Sequence, residues 1–120
     1  MGEVMNLPGA ARADVAIEKL TEYCLNPHHP RGRHKARLFW SVLGLDFRHA
    51  IWLRDALIEA ARAGEAKASE RDRYGQRYVL DFEMVGPRGS AGIRSLWIVR
   101  VGEDIPRLTS CYVLMRRQGR

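Results

Sequence analysis

The sequence predicts an α+β fold, with two to three N-terminal helices packed on one face of a four-stranded antiparallel meander sheet. Three observations carry this. Apolar residues in the first half recur at helical spacing, as at Ala36, Phe39, Trp40 and Leu43, which is the i, i+3, i+4, i+7 stripe of an amphipathic helix. After Gly64 the period falls to two: Tyr78, Leu80, Phe82 and Met84 alternate with Val79, Asp81, Glu83 and Val85, the pattern of a strand with one wet face. Short turn signals at 72–75, 86–89 and 102–104 separate the later strands, so strands adjacent in sequence are expected to pair as neighbours.

The elements follow in order. Residues 1–13, with Pro8-Gly9, have the composition of a flexible leader. Asp14 is a candidate N-cap for a helix running to about residue 25, with Ile17, Leu20 and Cys24 on its buried stripe and Glu18, Lys19 and Glu22 outside. The second helix follows a basic loop and ends at Gly44, a natural C′ residue. A third helix is expected over 47–63, with Ala50, Leu53, Leu57, Ala60 and Ala61 facing inward and Gly64 as its stop. A polar edge strand at about 66–71 leads into the alternating strand. Residues 93–101 are apolar on both faces, as suits a central strand. A last strand at 107–115 completes a single domain over 14–115, followed by a basic tail at 116–120. No internal repeat or low-complexity segment interrupts the chain.

Composition narrows the function classes. The chain has 120 residues, of which 46% are hydrophobic, which suits one globular core rather than a disordered chain. Twenty Lys and Arg against fourteen Asp and Glu leave a formal charge of +6, and the pI is near 9.9. In so small a domain that excess favours an anionic partner, nucleic acid or an acidic protein. Cys24 and Cys111 make no disulfide framework and suit a reducing compartment, so a cytoplasmic location is expected. No apolar run approaches membrane-spanning length and no secretory signal pattern opens the chain, so no membrane partner is expected.

The densest chemistry lies between Leu25 and Trp40. Asn26-Pro27 and His29-Pro30 hold the chain out of helix, Gly32 permits a close turn, and the helix then starts. Arg31, Arg33, Lys35 and Arg37 crowd this junction, with His28, His29 and His34 among them. Such like charges repel, and an anion at a helix N-terminus is one way to relieve them. Two prolines and the Phe39-Trp40 anchor predict an ordered loop. The histidines and Cys24 do not form a zinc set: their spacing is irregular and four well-placed ligands are not offered. Neither a metal nor another cofactor is expected, and no Gly-rich phosphate loop is present. Cys111 has no histidine assigned to it, and Asp81 with Glu83 suits a solvated strand face.

The remaining inventory fits metal-independent RNA cleavage. That reaction needs a base for the 2′-hydroxyl, an acid for the leaving 5′-oxygen and cations for the phosphate. His29 or His34 could move protons, Lys35 and Arg94 could hold phosphate and Thr109 could add a hydrogen bond, with Tyr112 nearby if the loop folds over the sheet. Arg31, Arg33, Arg37 and Arg107 are the expected RNA-binding residues. Each of these residues also has an ordinary structural role open to it, as a solvated charge, an ion-pair partner or a strand former. The alternative is a non-catalytic basic module that binds an acidic partner protein or nucleic acid.

The stretch Tyr23 to Phe39, with Leu-Asn-Pro-x-His-Pro-x-Gly-x-x-Lys-Ala-x-x-Phe, resembles a small uncharacterised bacterial domain family, a domain of unknown function. Segments 95–99 and 106–112 are similar to that family's C-terminal motifs, and His29, Gly32, Lys35, Phe39, Trp97, Pro106, Arg107 and Tyr112 fall on motif positions. Where other members carry a threonine just before an Ala/Tyr pair, this chain has Ser110-Cys111-Tyr112. In layout rather than motif, the chain also resembles the barnase–EndoU–colicin–RelE superfamily of ribonuclease toxins. That resemblance implies a toxin that cleaves RNA, with a small acidic antitoxin or immunity protein as partner, and it stands as analogy.

Overall fold

The structure, a computed structural model, describes residues 4–115. The basic tail at 116–120 lies outside the described residues. The fold is α+β: three helical segments lie between the first and second strands of an antiparallel sheet whose strands lie in the order β1-β2-β3-β4-β5. Strand β1 is Val4–Met5, β2 Ala66–Asp72, β3 Gly75–Gly86, β4 Gly89–Arg100 and β5 Pro106–Val113. Helix α1, Ile17–Lys19, widens into a π-helical turn at Leu20–Cys24. Helix α2, Arg33–Leu38, does the same at Phe39–Leu43 and ends at Gly44, whose φ of 77° takes the left-handed conformation that glycine accepts without strain. Helix α3, Ala50–Ala63, is entered through a 3-10 turn at Phe47–His49. There Asp46 accepts the Arg48 N–H, while the Asp46 N–H donates to His49 Nδ1 at 3.0 Å.

The strand expectations hold, and one strand is added. β3 and β4 pair along their length from Gly75↔Arg100 to Gly86↔Gly89. β4 lies between β3 and β5. Tyr78, Leu80, Phe82 and Met84 of β3 face the helices, opposite Trp97, Ser95, Ile93 and Ala91 of β4. The helices cover this face with Leu20, Phe39, Leu43, Leu53 and Leu57, each fully buried. The added strand is β1, which pairs Val4 with Lys67 and Met5 with Ala66. β2 is therefore an edge only beyond that point.

The N-terminal residues described here are not a loose leader. Leu7 is buried in the core, and Ala10–Arg12 form a 3-10 turn. Asp14 does not cap α1, whose N-cap is Ala16. Instead Asp14 bridges the outer edge of β5. Its N–H donates to the Pro106 carbonyl, its carbonyl accepts from the Leu108 N–H, both at 2.9 Å, and its carboxylate meets Arg107 at 2.8 Å. Residues 4–14 thus run as a strap from one sheet edge to the other. Trp40 also departs from expectation. It stays 46% exposed, while Ala36, Phe39 and Leu43 of the same stripe are buried, because it sits at the margin of the stripe where the helix widens.

One polar chain runs through the core. The Trp97 indole N–H donates to Ser95 Oγ at 2.8 Å, and that hydroxyl donates to the Leu80 carbonyl at 2.6 Å. All the members are buried. A Ser95→Ala substitution leaves the Trp97 N–H without its acceptor, so it should cost about 1–3 kcal/mol. Denaturant unfolding of the variant against the parent reads this directly.

Candidate functional site

The site begins where α1 ends. Gly32 lies against the Tyr23 backbone, so close that a Cβ on residue 32 would collide with the Tyr23 carbonyl and ring. The loop between is closed by its own hydrogen bonds. The Asn26 side chain donates to the Glu22 carbonyl and accepts the His28 N–H at 2.9 Å. His29 Nδ1 accepts two backbone N–H groups, from Arg31 at 2.9 Å and Gly32 at 3.0 Å. Neutral His29 therefore carries its proton on Nε2. Its ring packs edge-on to Tyr23, with 4.9 Å between centroids.

Past Gly32 the first turn of α2 sends Lys35 back over the same tyrosine. Lys35 Nζ donates to Tyr23 Oη at 3.0 Å and lies 4.9 Å from that ring's centroid and 5.9 Å from that of Tyr112 on β5. Tyr112 stands opposite Arg94 on β4. Arg94 forms a bidentate pair with Asp81, both bonds 2.9 Å. That pair, with a smaller contribution from Tyr112, raises the guanidinium's pKa further above its ordinary value. Beneath this group the two cysteines meet. The Cys111 side chain hydrogen-bonds Cys24 and lowers its thiol to about 7, against burial, with Lys35's charge adding a smaller lowering. The same bond, with burial, pushes the Cys111 thiol well up.

The expected site residues thus fall into separate places. His29 and Lys35 converge on Tyr23, and Lys35 reaches Tyr112, which neighbours Arg94. Arg31 joins His29 and Tyr23 in lining an open cleft of about 500 Å3, with Lys19 and Glu22 from α1. Arg33 and Arg37 line a different depression on the other side of α2, and His34 is exposed. Thr109 donates to the Leu96 carbonyl at 3.1 Å, in the β-bulge between β4 and β5. Arg107 is committed to Asp14 and Glu103. Among the described residues no group of three or more His, Cys, Asp or Glu is placed to hold a metal ion. No helix there is long and apolar enough to cross a membrane.

Sequence reasoning missed Tyr23, Glu22 and Lys19. Glu22 and Lys19 lie on the solvated side of the first helical segment, as their pattern predicts, and the loop folding beside them turns that side into a cleft wall. The available signal was Tyr23, which opens the family-like stretch and is the one aromatic residue between Ile17 and Cys24.

Fold and site together define a small α+β domain with a tyrosine-framed cleft where α1 and the basic loop meet, its wall carrying both cations, Lys19 and Arg31, and carboxylates, Glu18 and Glu22. The chain belongs to the family described as Domain of unknown function (DUF6883), whose model matches residues 6–115 and so spans the whole cleft. Among curated proteins, none matches the chain.

The thiol pair makes a direct test of this local geometry. In the parent protein one thiolate should appear as pH rises through about 7. Removing the bond from Cys111 leaves burial as the dominant influence on Cys24, so Cys111→Ala should move that ionisation upward. Ultraviolet thiolate absorbance followed against pH, with Cys24→Ala as the blank, measures the shift.

Proposed function

We propose that this protein is a metal-independent ribonuclease-like toxin that cleaves RNA at the Tyr23–His29–Arg31 cleft. The observation that carries the reading is the Lys35–Tyr23 bond of 3.0 Å at the cleft wall. Because Tyr23 Oη accepts from an ammonium, its own hydrogen is free to be donated.

The reaction is a transesterification. The ribose 2′-oxygen attacks phosphorus, the bond from phosphorus to the 5′-oxygen breaks, and a 2′,3′-cyclic phosphate is left. The Glu22 carboxylate takes the 2′-hydroxyl proton, and Tyr23 Oη gives a proton to the leaving 5′-oxygen. Lys35 returns one to Tyr23, and solvent resets both groups. Arg31 and Lys19 supply positive charge to the non-bridging oxygens, where negative charge builds up in the transition state. His29 acts differently from a proton shuttle. Its Nδ1 is engaged by two backbone N–H groups, so it serves as a fixed Nε2–H donor and as the clamp on the loop. Arg94, paired with Asp81, steadies Tyr112 behind Lys35. RNA cleavage in the cytoplasm harms the cell that hosts it, so a small acidic antitoxin or immunity protein is the counterpart this reading calls for.

Purified protein incubated with total RNA in EDTA should yield fragments ending in 2′,3′-cyclic phosphate. Tyr23→Phe, which keeps the ring but removes the acid, should slow cleavage by about 10²–10⁴-fold while leaving the melting temperature nearly unchanged. Arg31→Ala should flatten the salt dependence of binding to an uncleavable 2′-deoxy analogue by a slope of about 0.7. Intact RNA in the parent reaction, or full activity in Tyr23→Phe, overturns the assignment.

A further inference from the structure

Helix α2 separates two surfaces. Lys35 points to the tyrosines, while Arg33 and Arg37, two residues before and after it, lie about 160–200° away around the helix. They flank a groove of about 420 Å3 whose floor is Leu25, Pro27, Ala36, Trp40 and Leu45. We propose that this groove is a docking site for an acidic segment of a partner protein, which places one large apolar side chain on the floor and its carboxylates on Arg33 and Arg37.

Charge is the first support. Arg33 and Arg37 are exposed and, among the described residues, neither side chain has a hydrogen bond or ion pair. They stand at i and i+4, where like charges destabilise a helix. The carboxylate that does reach the groove, Asp46, is held by Arg48 at 2.8 Å and is not offered to them. A further cation, Arg88, lies 5.4 Å from the Trp40 ring centroid. The groove therefore presents Arg33 and Arg37 around an apolar floor, with Arg88 against the Trp40 ring, and its lining carboxylate is already engaged.

The second support is apolar exposure. Trp40, on the groove's floor, is 46% exposed. An exposed tryptophan flanked by arginines is the usual composition of a protein-binding patch. The floor also chooses between macromolecules. Single-stranded nucleic acid binds through aromatic platforms on which successive bases stack, and here one aromatic ring, already shared with Arg88, stands among aliphatic side chains and a proline. A concave aliphatic floor suits a leucine or phenylalanine side chain instead. The docking site stands on a different face from the cleft and does not depend on RNA cleavage.

The test is an amide and indole chemical-shift titration of the full chain. The probe is a short synthetic helical peptide rich in Asp and Glu with a single Leu-Phe pair. The expected result is a shift of the Trp40 indole and of amides in 33–45. Affinity should fall at least about tenfold in Trp40→Ala and in the Arg33→Glu/Arg37→Glu double variant, and be unchanged in Lys35→Ala. Both groove changes are on exposed side chains, and retained melting temperatures show that the variants are folded. The idea is overturned if the peptide leaves the Trp40 indole unmoved, or if a peptide with Ser in place of Leu-Phe binds equally well. It is also overturned if an oligodeoxythymidine strand, rather than the peptide, moves that indole. A failed cleavage assay with intact peptide binding would reject the ribonuclease reading alone.

Discussion

The contact between the Gly32 backbone and the Tyr23 carbonyl sets the geometry of everything around it. It brings the start of α2 against the end of α1 with no side chain between them. A side chain on residue 32 would force the two segments apart, and the loop could not then close on His29 Nδ1. Lys35 lies one turn beyond this contact, so its reach to Tyr23 is decided by where Gly32 sits. Cys24, one residue past Tyr23, is carried with it to Cys111 on β5. A single close approach of two backbones thus positions an imidazole, an ammonium, two phenol rings and a thiol pair.

Around that contact the positive charge is distributed unevenly. Arg94 is neutralised by Asp81, Arg107 by Asp14 and Glu103, and Arg77 by Asp72. These pairs lie on the sheet or at its ends. Exposed pairs of this kind contribute little to stability, but they remove charge from the surface seen by a ligand. The cations left unpaired among the described residues include Arg31, Arg33 and Arg37 at the start of α2. Arg31 on one side of α2 and Arg33 with Arg37 on the other therefore present positive charge where the two concave surfaces open.

The regular elements were legible because their periodicities are strong: the inner face of α3 and the alternation of β3 appear where the residue pattern puts them. β1 was not legible, since a two-residue strand has no period and exists only because an edge is there to receive it. Asp14 has the chemistry of a helix cap, and nothing local distinguishes that role from bridging a strand made more than ninety residues later. The same limit governs the site. His29, Gly32 and Lys35 lie within one turn-and-helix segment and could be found together. Arg94 looked like a free cation because its partner, Asp81, depends on the β3–β4 register. The solvated flank of α1 became a cleft wall through a tertiary contact that leaves no mark on the spacing of Glu22 and Lys19.

The strap formed by residues 4–14 has a consequence for the order in which the chain can assemble. Within this domain it is made first, yet one of its docking sites is at Lys67 and the other at Arg107, 93 residues from Asp14. Its Asp14 end must therefore wait, undocked, until nearly the whole domain has been synthesised. The β-meander can form from neighbouring hairpins by local contacts, which are quick to make, whereas the Asp14 bridge closes a loop of almost the full chain and is entropically the most demanding step. Until it closes, β5 has an unprotected edge along Pro106–Leu108, open to pairing with another chain. The first described residues thus act last, and they end the interval in which the nascent domain can associate edge to edge with its neighbours.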